Sequence, residues 1–266
     1  MAFSHREFFP GIFHIQDSMG VCMTLLCGKE RALLIDTGYG LEDVASCVKA
    51  LTALPADVML THGHHDHALG AQWFPRALML KEEFSVYSEY TNSHWRRHVL
   101  NGAREKGIPA DEAAYLGASM PPPEAIPAGD WDLGGLTARI ISCPGHTPGS
   151  AVVYVPKYDL LLTGDDWNPC TWLFFPEALC ALEYRKNMRE LVKLPFEHVL
   201  CAHQFSLFSR TMLDAFVENL TDGCLMRAPE VETGAHMGIH TAEARLPMDQ
   251  VLVFDRDKFE RIEENA

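Results

Sequence analysis

The feature that most constrains this chain is a short segment, residues 62–67, which holds four histidines and one aspartate within six positions. It comes directly after an apolar run at residues 58–60 that predicts a buried strand. Imidazole and carboxylate groups are good zinc ligands, and a catalytic metal site needs several of them on a rigid strand end. A single histidine in a loop is more often an ordinary polar residue, but this density after a buried strand favours a metal site.

Candidate ligands also follow three later predicted strands. Residues 136–141 are followed by His146, residues 160–162 by Asp165, and residues 198–201 by His203. Taken alone, Asp165 is typical of a turn, and His203 of an ordinary surface or core histidine. Their shared position matters because sites are usually assembled from loops at one edge of a rigid sheet. We therefore predict that these residues converge with the histidine-rich segment.

Strands and helices alternate along most of the chain. β-Branched and leucine-rich runs predict strands, and apolar residues at helical spacing predict helices. The predicted strands are residues 21–26, 32–35, 58–60, 78–80, 136–141, 151–155, 160–162 and 198–201, with a closing edge strand at 251–254, and the predicted helices are 41–54, 177–192 and 210–220. This order indicates an α/β protein with sheets inside and helices outside. We expect residues 1–266 to form a single domain.

Residues 81–128, called the insert below, interrupt this rhythm. They begin as a charged and aromatic stretch of predicted helix and continue into loop signals, including three consecutive prolines at 121–123. We interpret the insert as a helical cap that sets substrate choice, because a long excursion in a compact domain is usually a lid or a binding loop. The alternative is that it only covers a hydrophobic sheet edge.

The motifs, taken in order, resemble those of one known family. His-x-His-x-Asp-His after a strand, then Pro-Gly-His-Thr-x-Gly, then Thr-Gly-Asp and a final strand-end histidine are similar to the signature of the metallo-β-lactamase superfamily. The resemblance runs from Asp36 to His203. It implies an enzyme with a four-layer αββα sandwich and a dinuclear metal site between the sheet edges.

The resemblance also implies a role for each motif residue. His62, His64 and His146 would hold the first metal, Asp66, His67 and His203 would hold the second, and Asp165 would bridge the two. Asp36 would lie behind the ligands and orient one of them. His65 falls at a variable position of the motif. Asp166 is left open as an alternative bridge, although the family places its bridging aspartate directly after the glycine.

The expected cofactors are two divalent metal ions, with zinc favoured over iron or manganese. Two ions about 3.5 to 4 Å apart would share a water whose pKa falls toward neutrality, and the resulting bridging hydroxide would attack the substrate. Asp66 and Asp165 would offset the positive charge, and either could accept a proton as the intermediate collapses. Both are therefore candidate catalytic residues, whereas Ser150 and Cys143 are expected to be structural.

By this resemblance the chain hydrolyses a small ester, thioester or lactone, so its expected partner is a small molecule. Zinc β-lactamases usually have Cys or Ser at the position of Asp165, which disfavours penicillin as the substrate. Glyoxalase II shares the ligand set, but its basic glutathione-binding stretch has no match here. The alternatives are an iron-dependent redox enzyme similar to persulfide dioxygenases, a phosphodiesterase, and a metal-binding protein without catalysis.

The residues that would contact a substrate carry weaker signals. Trp167, Trp172, Phe174 and Phe175 follow Asp165 and could line a pocket, although aromatic residues at this spacing are more often core. Arg96 and Arg97 could contact an anionic substrate or lie on a solvated helix face. His236 and His240 lie outside the family pattern, and they receive no role.

Charge and cysteine content narrow the function classes and the compartment. With 22 Lys and Arg against 36 Asp and Glu, the formal charge of -14 opposes binding to nucleic acid and to anionic membranes. No apolar run is long enough to span a membrane, and the first ten residues lack a secretory signal, so we expect a cytoplasmic protein. The cysteines form no Cys-x-x-Cys pair, and free buried thiols are expected. Assembly into a homo-oligomer is left open.

Overall fold

Seven strands form the first sheet of the computed structural model, which describes residues 3–263 apart from the side chains of residues 236 and 260–263. They are β1 (Ser4–Phe9), β2 (Ile12–Gln16), β3 (Cys22–Cys27), β4 (Ala32–Ile35), β5 (Ala56–Met59), β6 (Ala77–Met79) and β7 (Pro123–Ala125). Strands β1 to β4 pair antiparallel, whereas β4 to β7 pair parallel. Because parallel strands end at the same edge, the residues that follow β4 and β5 lie side by side.

Ten further strands form two more sheets. They are β8 (Gly129–Asp132), β9 (Thr137–Ser142), β10 (Ala151–Val155), β11 (Leu160–Leu162), β12 (Cys170–Leu173), β13 (His198–Leu200), β14 (Phe208–Ser209), β15 (Glu230–Val231), β16 (Thr241–Leu246) and β17 (Gln250–Asp255). The second sheet has the order β14-β13-β11-β10-β9-β8, and the third has the order β12-β17-β16-β15. The prediction of an edge strand at residues 251–254 is wrong, because β17 pairs with β16 on one side and with β12 on the other.

Nine α-helices lie within residues 3–263. They are α1 (Val44–Leu51), α2 (His65–Ala68), α3 (Phe84–Tyr90), α4 (Ser93–Glu105), α5 (Glu112–Gly117), α6 (Ala181–Leu191), α7 (Arg210–Asn219), α8 (Asp222–Met226) and α9 (Arg256–Glu263). Helix α1 is shorter than predicted because the Asp43 side chain caps its first turn by accepting the Ser46 N–H. Helix α6 also begins later than predicted, which leaves Glu177 in a loop.

One buried core cluster lies between the first two sheets. Leu33 and Ile35 of β4 share one buried cluster with Val153 of β10. The alternate residues of the same strands point outward, so Leu34 packs in a cluster with residues of α1, and Val152 in a cluster with residues of α6 and α7. Strands buried on both faces explain the uninterrupted apolar runs in the sequence. The resulting layers, helix on sheet on sheet on helix, confirm the predicted αββα sandwich.

The insert lies between β6 and β8. Helices α3, α4 and α5 lie within it, and Val99, Leu100 and Tyr115 share a small buried cluster with Leu69 from outside it. Its last part is not all loop, because β7 extends the first sheet beside β6. Proline is tolerated at the first residue of an edge strand, which explains how Pro123 begins this one.

Neither a disulfide nor a membrane-spanning helix occurs among residues 3–263. All eight cysteines are free, as expected, but only four of them are buried: Cys22, Cys143, Cys180 and Cys201. Cys27, Cys47 and Cys224 are half-buried, and Cys170 is exposed. No helix in this range is long and apolar enough to cross a membrane.

Candidate metal centre

Four loops bring the predicted ligands to one edge of the two facing sheets. The loop after β5 carries His62 and His64, and the loops after β9, β11 and β13 carry His146, Asp165 and His203. Backbone hydrogen bonds join these loops: the Ala151 N–H donates to the Thr61 carbonyl (2.9 Å), and the Ala202 N–H to the Gly164 carbonyl (3.3 Å). The ligand positions are therefore fixed by the sheets and not by the loops alone.

Two glycines allow the loops to approach this closely. Gly164 has a φ of +53°, and a Cβ there would lie 2.7 Å from Oγ1 of Thr61. A Cβ at Gly63 would lie 2.3 Å from the backbone nitrogen of Tyr87 in α3. A side chain at either position would displace a ligand loop.

The candidate ligand atoms form two adjacent groups. The histidine group comprises His62, His64 and His146, and the mixed group comprises Asp66, His67, Asp165 and His203; in each group, one ligand atom per residue lies within 4.8 Å of the others. The ring centroids of His62 and His67 are 4.0 Å apart, which brings the groups into contact. Asp165 faces both groups, because its Oδ2 lies 3.0 Å from Nε2 of His203 and 3.7 Å from Nε2 of His146.

Four of the five histidines are held by the ring nitrogen that points away from the groups. Nδ1 of His62 lies 3.1 Å from Oγ1 of Thr61, Nε2 of His64 lies 2.6 Å from Oε1 of Glu177, Nδ1 of His67 lies 2.9 Å from Oδ2 of Asp36, and Nδ1 of His146 lies 2.7 Å from the Trp172 carbonyl oxygen. A proton held on the outer nitrogen leaves the lone pair on the inner one, as ligand histidines require. In this state the inner nitrogens of His64 and His146 present lone pairs to each other at 2.9 Å.

The buried polar atoms of the two groups fit divalent cations. Nε2 of His62, Nε2 of His67 and Oδ1 of Asp165 are buried without a hydrogen-bond partner. An unsatisfied buried polar atom costs roughly 1 to 3 kcal/mol, so three at one site need compensation. Coordination to a cation provides it, and imidazole with carboxylate is the donor set that zinc prefers.

Burial and neighbouring charges divide the histidines by their pKa. Burial lowers the pKa of His62 well below its ordinary value and that of His146 to about 4, so both rings are neutral at pH 7. Burial acts in the same direction on His67, but nearby carboxylates, first among them Asp165, outweigh it and raise its pKa. Burial opposes the charge of Asp165, yet His203 and His67 hold its pKa well below the usual range. A cation in the mixed group would take the place of the imidazolium protons.

Two further aspartates have separate positions behind the groups. Asp36 has the left-handed φ of 62°, and it accepts hydrogen bonds from the Thr61 backbone N–H (2.7 Å) and from His67. It therefore orients a candidate ligand, the role that the resemblance implies. Asp166 lies outside both groups; its Oδ1 accepts the backbone N–H of His146 (3.3 Å), and burial raises its pKa. This geometry favours Asp165 over Asp166 as the bridge.

Sequence reasoning missed two carboxylates at the site. Glu83 is fully buried at the start of the insert, where it accepts hydrogen bonds from the Gly63 N–H (2.8 Å), the Thr147 hydroxyl (2.6 Å) and the Gly149 N–H (2.7 Å). It thereby ties the loop after β5 to the loop after β9. Glu177 contacts His64 from the loop before α6. Neither glutamate belongs to a motif, so spacing carried no signal of their roles.

The aromatic run after Asp165 is divided between core and site. Trp167 and Phe174 are buried, as the core interpretation predicts. Phe175 lies against the rings of His64 and His146, with centroids 4.8 and 5.4 Å apart. Trp172 is 43% exposed next to them. Phe175 and Trp172 therefore border the site.

The insert contributes aromatic rings on the outer side of the groups. Tyr90 of α3 lies 4.4 Å from the His64 ring, and Trp95 of α4 stacks on His65 at 4.6 Å. Tyr90 and Trp95 also stack on each other at 4.7 Å. His65 thus contacts the insert and belongs to neither ligand group.

Several other candidates lie away from the centre. Arg96 is buried and donates to Oε1 of Gln72 and to the Tyr115 carbonyl, so both interpretations of it, a substrate contact and a solvated face, are wrong. Arg97 is exposed. His240 is exposed and forms ion pairs with Glu230 and Asp257, and the side chain of His236 lies outside the described residues.

Ser150 and Cys143 have the structural surroundings that were expected. The Ser150 hydroxyl lies 2.8 Å from Oγ1 of Thr147 and accepts the Thr147 backbone N–H at 3.0 Å. Cys143 is buried in the core against the helices, and burial raises the pKa of its thiol.

Comparisons with known proteins point to one family. Residues 19–166 match the model described as the metallo-beta-lactamase superfamily. Acyl-coenzyme A thioesterase MBLAC2 of Gallus gallus is 26% identical over 242 residues, which cover 82% of this chain and 86% of that protein. Hydroxyacylglutathione hydrolase of Cereibacter sphaeroides is 27% identical over 201 residues, which cover 70% of this chain and 66% of that protein. The solved structure of a metallo-beta-lactamase from Pontibacter korlensis aligns with a TM-score of 0.58 at 16% identity, over 83% of this chain and 99% of that chain. At this identity the similarity supports the fold alone.

Proposed function

The chain belongs to the metallo-beta-lactamase superfamily, and we propose that it is a dinuclear metallo-hydrolase that cleaves a small thioester. The observation that carries the proposal is the pair of adjacent ligand groups, each with its ligand atoms turned toward one another. Relatives named as an acyl-coenzyme A thioesterase and as a hydroxyacylglutathione hydrolase favour a thioester over an oxygen ester or a lactone.

The two groups divide the metal-binding work. His62, His64 and His146 would hold one ion, and Asp66, His67, Asp165 and His203 would hold the other. Asp165, which also faces His146, would be the carboxylate that the two groups share. Zinc suits this set of imidazoles and carboxylates best. When bound, two divalent ions supply a water of lowered pKa and polarise the substrate carbonyl.

The remaining work falls to the side chains around the groups. Asp36 and the Trp172 carbonyl accept hydrogen bonds from the outer nitrogens of His67 and His146, which favours the metal-binding tautomer of each. The rings of Phe175 and Tyr90 exclude water from the side of His64, which strengthens electrostatic interactions within the site.

We propose that Asp66 carries a proton from the attacking water to the leaving group. Its Oδ2 lies 3.7 Å from Nε2 of His67 and 3.6 Å from Nε2 of His203, whereas its Oδ1 lies 3.9 Å from Nδ1 of His65, on the outer side. During hydrolysis the thioester carbon gains an oxygen from water and loses its sulfur. Oδ1 of Asp66 carries the proton that water releases to the departing thiolate.

Metal analysis and a thiol-release assay test the proposal together. The purified protein should contain close to two ions per chain after zinc loading, because seven candidate ligands are too many for one tetrahedral ion. Thiol release from a panel of acyl thioesters should follow the metal content, and lactones and phosphodiesters should react more slowly. Iron near one ion per chain with oxygen uptake would support the redox alternative, and a faster phosphodiester would replace the thioester as substrate.

A further inference from the structure

Glu177 lies where it can select the tautomer of one candidate ligand. Its Oε1 is 2.6 Å from Nε2 of His64, while Nδ1 of His64 faces His146 inside the histidine group. A neutral imidazole has one N–H and one lone pair, so a proton kept on Nε2 leaves the lone pair on Nδ1. The contact with Glu177 therefore favours the form of His64 that can bind a cation through Nδ1.

The other neighbours of the His64 ring cannot replace this contact. Tyr90 and Phe175 pack against it through their rings, with centroids at 4.4 and 4.8 Å. Ring packing restricts the position of the imidazole but does not distinguish its two nitrogens. Within residues 3–263, the carboxylate of Glu177 is the hydrogen-bond partner of the outer nitrogen, Nε2.

The loop that carries Glu177 is held in place by a lysine. The ammonium group of Lys258 in α9 donates to three carbonyls of this loop, those of Phe175 (2.9 Å), Pro176 (3.0 Å) and Ala178 (2.8 Å). These hydrogen bonds fix the backbone around Glu177 before any metal binds, and groups behind a metal site orient the ligands in this way.

We propose that Glu177 is a positioning residue that fixes the tautomer and orientation of His64 and thereby sets the metal affinity of the histidine group. It lies 113 positions from His64 in sequence and outside every motif noted above. The inference rests on the proposed metal centre, but its first step, the choice of tautomer, can be measured in the metal-free protein.

The test uses two substitutions of Glu177 and one matched control. Glu177→Ala removes the acceptor, Glu177→Gln keeps an oxygen of the same shape without the charge, and Glu190→Gln removes an exposed carboxylate that pairs with Lys193 at 2.6 Å. Ring ¹⁵N–¹H spectra of the metal-free proteins report the tautomer of His64. Competition with a chromophoric chelator reports the affinity for each of the two ions.

We expect His64 to carry its proton on Nε2 in the unmodified protein and in Glu190→Gln, and to lose this preference in Glu177→Ala. The affinity for one of the two ions should fall about 10- to 100-fold in Glu177→Ala, as is typical when a residue behind a metal ligand is lost. The other ion should be affected much less, and Glu177→Gln should lie between. Thermal unfolding of each metal-free variant checks that the fold is kept.

An unchanged His64 tautomer in a folded Glu177→Ala protein would overturn the proposal, as would an equal loss of affinity for both ions. If Glu177→Ala does not fold, the same two readouts on Glu177→Gln decide. A tautomer change in a protein that binds no metal would uphold the role of Glu177 toward His64 and refute the metal centre itself.

Discussion

The two ligand groups differ in charge, in exposure and in what supports them. The histidine group has three buried imidazoles and no carboxylate of its own, and the insert lies over His64. The mixed group has two carboxylates, and the side chain of its His203 is 35% exposed. The first group is preorganised by hydrogen bonds to outer nitrogens, whereas the second combines negative charge with access to solvent.

This difference separates two tasks within one site. A buried group without its own carboxylate would hold a cation through fixed geometry, and a charged, partly open group would admit water and substrate. Asp165 belongs to the mixed group but faces His146 of the other group. The comparison therefore predicts that substitutions in the mixed group mainly lower kcat. Substitutions around the histidine group should mainly change metal affinity and the preference between substrates.

The largest expected effect follows replacement of the carboxylate shared by the two groups. Asp165→Asn should lower kcat by about 100- to 1000-fold, as is typical when a key electrostatic contact at a reacting centre is removed. A neutral amide is a poor bridge between two cations, while the strand before it stays packed. Steady-state kinetics beside thermal unfolding should show activity loss far exceeding loss of stability.

Asp166→Asn is the matched control for that variant. Burial raises the pKa of Asp166 well above its ordinary value and so favours the protonated carboxyl. That form is neutral, as asparagine is. We expect less than about a tenfold loss of kcat, because this side chain supports the His146 backbone and lies outside the ligand groups. Equal or reversed losses in the two variants would mean that the shared carboxylate is Asp166.

A second substitution separates the groups by metal content. His203→Ala removes the most exposed candidate ligand, and the protein should keep about one ion per chain, held by the three buried histidines. Activity should fall roughly 10- to 100-fold, since one ion still polarises the substrate. Elemental analysis and thiol release measure the two effects. Loss of both ions in a folded variant would show that the groups bind metal as a single unit.

The strand ends predicted that the candidate ligands would converge at a sheet edge, and the family resemblance implied which seven residues they are; the structure brings the ligand atoms of these seven residues together. The sequence did not predict Glu83 or Glu177, which lie 64 positions from Thr147 and 113 positions from His64. Patterns that repeat every two to four residues indicate a strand or a helix. They do not indicate which distant residue a given side chain contacts.

The other errors have similar physical causes. Arg96 looks like a surface cation, but tertiary packing of the insert buries it between Gln72 and Tyr115. Residues 251–254 look like an edge strand because their parallel partner, β12, is not evident from the sequence. Strand β12 lies about 80 positions earlier, and its alternating pattern is short. Edge and interior strands differ in their neighbours, which the strand's own residues do not identify.

The hydrogen bonds of Asp17, which lies behind the mixed group, can be tested through the free energy of unfolding. Asp17 accepts backbone N–H groups from Gly20, Val21 and Tyr39, and the segment that contains Tyr39 begins at Asp36 beside His67. Burial raises the pKa of Asp17 from 3.8 to about 6. Since the folded state binds the proton more tightly, this contribution to stability is complete below pH 3.8 and is lost as the pH rises through 6.

Asp17→Asn removes this dependence on pH. The free energy of unfolding of the variant, relative to the unmodified protein, should rise by roughly 2 kcal/mol between pH 4 and pH 7. Urea unfolding of the metal-free proteins across that range measures it. Asp43→Asn is the control, because asparagine also caps a helix and the capping hydrogen bond of Asp43 is exposed to solvent. A pH-independent difference for Asp17→Asn would show that its carboxyl titrates normally.

The smallest expected effect concerns the insert over the histidine group. We propose that the insert sets substrate choice and not the chemical step. Its Trp95 stacks on His65 at 4.6 Å and on Tyr90 at 4.7 Å, next to the ligands but outside both groups. Trp95→Ala should change the ratio of kcat/KM between two thioesters by roughly 2- to 10-fold, the range that one aromatic contact contributes.

The control for this variant is Trp73→Ala, because Trp73 is equally an indole, is 43% exposed, and borders a cavity beside α1. Both variants should keep the metal content of the unmodified protein, and Trp73→Ala should leave the ratio between substrates unchanged. If the insert only covers a sheet edge, Trp95→Ala should lower kcat/KM for all thioesters by the same factor, together with loss of metal or of folded protein. A change in the ratio with both ions retained requires that Trp95 contact the part of the substrate that differs, since a common loss of stability affects every substrate alike.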